Sequence, residues 1–156
     1  LKEGTSLDEA LLKDLSPISE ETLGAFYQAL SFIFEKGIYG ISIFPHRLAK
    51  RFFESIKSMD SVTVYGDFGT SSRIPTVSAK FGSFSPEEVK SHLGKKFGIK
   101  VKAGLQEGRR MHQALGTDAE GLVRFSFGYF NTRQDVNDTI WAIMDLMGLD
   151  DLYLLA

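Results

Sequence analysis

Gly121-Leu-Val-Arg-Phe-Ser-Phe-Gly-Tyr-Phe-Asn-Thr-Arg-Gln-Asp-Val136 reads as a strand running straight into a capped helix, and this stretch decides the fold. Period-two alternation puts Val123, Phe125 and Phe127 on one strand face and Arg124 with Ser126 on the other. The first face is core, and the second is open to a ligand or a partner. Thr132-Arg-Gln-Asp135 supplies a threonine-acid capping box, after which Val136, Ile140, Ile143 and Met147 recur at helical spacing. Arg124 is the first candidate for function. Spacing alone leaves two readings of it, an anion-binding residue or an exposed strand arginine paired with a surface acid.

Upstream, Ile99, Val101 and Ala103 alternate with Lys100 and Lys102, which predicts another strand, and a loop with a short helix over Gly104 to Gly116 follows it. Ser85-Pro-Glu-Glu88 combines an N-cap, a first-turn proline and a capping-box glutamate; Val89, Leu93 and Phe97 follow before Gly98 closes that helix. Val62-Thr-Val-Tyr65 and Ile74-Pro-Thr-Val-Ser-Ala-Lys-Phe81 read as strands, with Val77, Ala79 and Phe81 facing one way. The Gly66 to Ser72 stretch between them is a hairpin connection, since it lacks a phosphate-loop lysine and a following helix.

Two helices come earlier. From an N-cap at Ser19, the residues Leu23, Phe26, Tyr27, Leu30 and Phe34 repeat until Gly37; the helix is apolar around much of its girth and is expected to pack on more than one side. A second helix is predicted from near Pro45 to before Asp60, with Leu48, Phe52, Ile56 and Met59 on one stripe. Residues 1–18 read as an entry segment with room for one short helix, and residues 19–156 are expected to form a single domain. The fold class is α+β: a small antiparallel or mixed sheet of about four strands with helices packed mainly on one face.

At 156 residues, with 43% hydrophobic and 24% charged residues, the chain is long enough to bury a core and reads as globular. Its formal net charge of -2 gives no global attraction to nucleic acid or anionic membrane. No apolar run is long enough to span a bilayer, and the start carries neither a basic region nor a cleavage site, so a cytoplasmic location is expected. The first residue is not methionine, which suggests a piece of something longer. The chain has no cysteine, which excludes thiolate metal sites and thiol nucleophiles within it; His46, His92 and His112 are scattered at spacings that suggest no metal site and read as surface or supporting histidines.

The strand-to-helix stretch resembles the carboxy-terminal part of class V aminotransferases, the pyridoxal-phosphate family that also contains cysteine desulfurases. A Val-Arg-x-Ser-x-x-x-Tyr-Asn-Thr-like strand leads there into the last helix. Arg124, Ser126, Asn131 and Thr132 fit, with Phe130 in place of the tyrosine. The likeness continues upstream in order: Glu3-Gly4-Thr5 looks like the family's Gly-Thr turn, Val62-Thr-Val-Tyr-Gly66 matches its strand and glycine, and Ser85-Pro-Glu-Glu-Val89 and Gly98-Ile-Lys-Val-Lys-Ala-Gly104 keep the register. The resemblance implies that Arg124 grips the carboxylate of an amino-acid substrate, a role that a guanidinium's two parallel donors suit. It implies that Thr5 touches the phosphate of pyridoxal phosphate across a homodimer interface, and that the loop with Gln106 and Glu107 borders the active site. It also implies a small α+β domain beside a large cofactor-binding domain upstream.

Two departures qualify these expectations. The family's Schiff-base lysine belongs to the large domain, so this chain is expected to be inactive alone, with no catalytic residue of its own. Desulfurases of the family follow the Arg-Ala-Gly-like strand end with His-His-Cys, whereas Lys102-Ala103-Gly104-Leu105-Gln106-Glu107 places Glu107 where the cysteine would fall. A carboxylate cannot carry a persulfide, which argues against a cysteine-dependent desulfurase and leaves transaminase, lyase or racemase chemistry.

Two rival classes stand beside this one. A non-catalytic regulatory or assembly domain would use the apolar surface suggested by thirteen phenylalanines and the Leu152-Tyr-Leu-Leu-Ala156 end. An RNA-binding module would use Lys95, Lys96, Lys100, Lys102, Arg109 and Arg110 with the aromatics of Arg124 to Phe130; the glycine positions do not fit, and Phe125 and Phe127 share the core face, so no nucleic-acid partner is expected.

Overall fold

The computed structural model describes residues 19–68, 73–106 and 108–149. The chain divides into two units, residues 1–39 and 40–156. In the first, α1 (Glu20–Lys36) opens on Ser19, whose hydroxyl accepts the Thr22 amide at 3.2 Å, and closes on Gly37, whose amide donates to the Ile33 carbonyl at 2.9 Å. No residue of α1 is buried, and Phe34 is 83% exposed. Among the described residues its apolar positions are thus exposed, where the sequence predicts packing on more than one side. Apolar periodicity reports what a helix can bury, not whether a surface meets it.

The second helix, α2 (Ile38–Lys57), begins seven residues before Pro45 rather than at it, and its residues from Gly40 onward belong to the second unit. An interior proline removes one helical hydrogen bond. Here Pro45 is itself buried along the same helix as Leu48, Ala49, Phe52 and Ile56, so apolar burial offsets the missing rung. His46 holds the same turn, its Nδ1 lying 2.8 Å from the Ser42 carbonyl and its Nε2 in contact with the Arg73 carbonyl.

The remaining elements are β1 (Val62–Tyr65), β2 (Thr76–Phe81), α3 (Pro86–Phe97), β3 (Lys102–Gly104), α4 (Arg109–Leu115), β4 (Leu122–Ser126) and α5 (Arg133–Met147). The strands form one sheet in the order β1-β2-β4-β3, antiparallel throughout. The α+β class with a four-stranded sheet agrees with the sequence reading. The predicted third strand is shorter than expected, because the Ile99 amide donates to Leu93 as part of the α3 terminus and the chain joins the ladder only at Lys102. Ile99 and Val101 still pack on the core.

The core lies on one side of the sheet. Val77, Ala79, Phe81, Val123 and Phe125 meet Leu48, Phe52, Ile56, Val89, Leu93, Val136 and Ile143 from α2, α3 and α5. Phe52 contacts Phe125 and Phe127, with ring centroids 4.6 and 5.4 Å apart. Both capping boxes predicted from sequence are formed, at Ser85 with Glu88 and at Thr132 with Asp135.

Candidate functional site

Antiparallel registers place Arg124 directly opposite Ser78 of β2 and opposite Lys102 of β3, while Tyr65 of β1 stands opposite Ser78. Residues directly opposed on antiparallel strands share a face. Tyr65, Ser78, Arg124 and Lys102 therefore form a row across all four strands on the side away from the core, since Val123 and Phe125 point into it. Arg124 is half-buried, and its Nε is buried without a hydrogen-bond partner. Among the described residues no acid pairs with Arg124 or Lys102. The neighbouring open-face cation, Lys80, is paired with Glu120 at 3.4 Å. The surface ion pair that spacing alone allowed for Arg124 is absent among the described residues.

The loop after β3 is fastened to the start of β4. Gln106, in a left-handed conformation with φ 47°, donates from its side-chain amide to the Leu122 carbonyl at 3.2 Å. Below it, His112 is 1% exposed, with Nδ1 2.8 Å from the Thr117 hydroxyl, its amide donating to the Gly108 carbonyl at 3.0 Å, and Nε2 buried without a partner. It is thus a core histidine rather than a surface one, which a polar sequence neighbourhood conceals. Gln106 lies two residues beyond β3 and is tied to Leu122, two residues before Arg124 on β4. Thr5 and Glu107 lie outside the described residues. Among the described residues no group of three His, Cys, Asp or Glu side chains could hold a metal ion.

A cleft of about 470 Å³ lies elsewhere, lined by Ile99, Lys100, Phe127, Asn131, Asp135 and Asp138 among others. Its acids are engaged: Asp135 accepts from the Thr132 amide at 2.9 Å and Asn131 at 3.3 Å, and Asp138 accepts from Gln134 at 2.7 Å. Hydrogen bonds from Thr132 and then Asn131 hold the Asp135 carboxyl below its ordinary value. This acidic crevice serves the α5 N-terminus and is ill suited to an anion. Between α3 and α5, Asp145 accepts from Lys96 at 2.7 Å and from His92 at 2.9 Å. Sequence reasoning named neither Tyr65 nor Ser78 as site residues, because strand parity is local and cross-strand register is not.

A model of the aminotransferase class-V family matches residues 21–138. The chain belongs to that family. Among solved structures it is similar to a cysteine desulfurase of Escherichia coli, with 19% identity and a TM-score of 0.69 over 78% of this chain and 29% of that one. It is also similar to the apo cysteine desulfurase of Thermococcus onnurineus NA1, with 24% identity and a TM-score of 0.70 over 76% of this chain and 28% of that one. A NifS-like protein of Rickettsia africae ESF-5 matches at 17% identity and a TM-score of 0.59, over 71% of this chain and 30% of that one. At these identities the likeness establishes the fold, and the chain spans less than a third of each of these proteins. The family depends in general on pyridoxal phosphate. Among the described residues no helix is long and apolar enough to cross a membrane.

Proposed function

We propose that the chain contributes the substrate-carboxylate arginine to a pyridoxal-phosphate enzyme of the class V aminotransferase type, acting on an amino acid by transaminase, lyase or racemase chemistry. The observation that supports this most is Arg124, on the open sheet face with a buried Nε and no acid partner among the described residues. Two parallel N–H donors of that group match the two oxygens of a carboxylate and fix the substrate's orientation. Pyridoxal phosphate, when bound, supplies the electron sink, and the large domain carries its lysine. Nothing among the described residues forms a phosphate cradle, so this chain's own part is to hold the substrate. Thr5 at a partner subunit's cofactor phosphate, a homodimer, the large upstream domain and a cytoplasmic location belong to the same reading. The lack of cysteine and the position of Glu107 favour chemistry other than cysteine-dependent sulfur transfer.

Arg124→Ala in the full-length protein tests the reading. The expected result is a kcat/KM for amino acid lowered by about tenfold or more with the cofactor still bound. An unchanged kcat/KM removes Arg124 from the site. A second reading, a regulatory or assembly domain, is favoured by the exposed Leu23, Phe26, Tyr27 and Phe34 of α1. Borohydride treatment with pyridoxal phosphate, followed by intact mass, separates the two: an adduct on the full-length protein supports the enzyme, and none supports assembly.

A further inference from the structure

We infer that Gln106 is a positioning residue for the site on Arg124: its side-chain amide latches the connection between β3 and β4 onto the strand that carries the arginine. The inference rests on the placement of substrate at Arg124 proposed above. Leu122 and Arg124 stand two positions apart on β4 and point to the same face of the sheet. On that face Ser126 is exposed and Arg124 half-buried, yet Leu122 is 1% exposed and stands outside the core cluster of the opposite face. The face is therefore covered at its Leu122 end. What is fastened there is the β3–β4 connection: Gln106 donates to the Leu122 carbonyl at 3.2 Å, and the Gly121 amide donates to the Thr117 carbonyl at 2.8 Å.

Between Gly98 and Gly148 every described residue with a positive φ is glycine except Gln106, at 47°. Glycine adopts that conformation freely, whereas a residue with a side chain is strained in it. The side chain is nevertheless present, and its amide reaches back to the residue that Gly104 opposes in the ladder. Leu122 is thus held twice, by strand pairing through Gly104 and by the carboxamide beyond the end of β3. The far side of the connection is fixed as well, since the His112 amide donates to the Gly108 carbonyl at 3.0 Å and its buried ring lies 2.8 Å from the Thr117 hydroxyl. Leu122 and Arg124 are about 7 Å apart along the strand, so the covered end of the face adjoins the guanidinium. With the latch made, a carboxylate meets an arginine whose strand is held in one place; with it broken, the start of β4 gains freedom and binding suffers more than the chemical step.

The test uses the full-length protein, with kinetics on a panel of the proteinogenic L-amino acids and hydrogen exchange of the backbone amides of residues 122–124. Gln106→Gly relaxes the backbone and removes the donor, Gln106→Glu keeps the length and removes the donor, and Gln106→Lys keeps a donor. The glycine and glutamate variants are expected to raise KM for the best amino acid of the panel by about fivefold, with kcat within about twofold and the unfolding midpoint unchanged. Amides 122–124 should exchange faster in both. The lysine variant should stay within about twofold of wild type in KM and kcat. A lowered unfolding midpoint with unchanged KM, or unchanged exchange in the glycine and glutamate variants, overturns the inference and leaves the role of Arg124 standing. Arg124→Ala with an unchanged kcat/KM removes the carboxylate reading and this inference together.

Discussion

Gly121 lies backbone against backbone with Gly104: a Cβ added to Gly121 would sit 2.1 Å from the Gly104 carbonyl carbon. Both residues have positive φ, 79° and 86°. The contact joins the end of β3 to the start of β4, and so positions the Gln106 loop relative to the strand that carries Arg124. Gly121→Ala meets both a strained dihedral and a clash with backbone that cannot rotate away, and should cost about 3 kcal/mol or more. Gly116→Ala, at φ 67° with nothing within 4 Å of the added atom, should cost about 1 kcal/mol. Urea denaturation of both variants checks the difference, and equal losses would show that the Gly104 backbone yields.

Phe52 joins α2 to β4. It is fully buried against Phe125 and Phe127, so Phe52→Ala removes a ring and leaves a cavity, at about 3 to 5 kcal/mol. Phe34→Ala on the exposed face of α1 should change stability by under about 0.5 kcal/mol. Thermal or chemical denaturation measures both, and a large Phe34 effect would reveal a surface that covers it.

Arg124 is expected to serve function at the expense of stability. Its Nε is buried without a partner and Lys102 stands opposite, so Arg124→Thr relieves an unmet donor and a like-charge pair with a residue that suits a strand. Stability should stay level or rise by about 1 kcal/mol while substrate binding is lost. A clear drop in the unfolding midpoint would assign Arg124 a structural role.

Asp145 gives the fold an acid-sensitive clamp. A hydrogen bond from Lys96, aided by one from His92 and opposed by burial, holds its carboxyl below the ordinary value of 3.8. A carboxyl whose pKa is depressed by folding adds stability above its unfolded value and loses it as pH falls through the folded value. The stability difference between wild type and Asp145→Asn should therefore be full near about pH 6 and shrink below about pH 4. Denaturation midpoints across that range measure it, and a difference independent of pH would exclude the clamp.

Much of this architecture was legible because its signals are local. Ser85 with Glu88 and Thr132 with Asp135 cap their helices through atoms three residues apart, and Val77, Ala79 and Phe81 alternate within one strand. Pro45 misled the placement of the α2 start because proline favours a first turn, yet burial of its own ring carries the helix through it. The buried state of His112 depends on Thr117 and on the Gly108 loop folding over it, which its sequence neighbours do not announce.

By itself the sequence determined the element types, the core face of each strand, the family likeness and Arg124 as the residue to question. All of these follow from spacing along one segment at a time. Tertiary structure decided that Arg124 faces Ser78 and Lys102, that no described acid neutralises it, and that Gly121 rests on Gly104. Those facts require segments far apart in the chain to meet in a particular register. A one-residue slip in that register would turn every side chain to the opposite face.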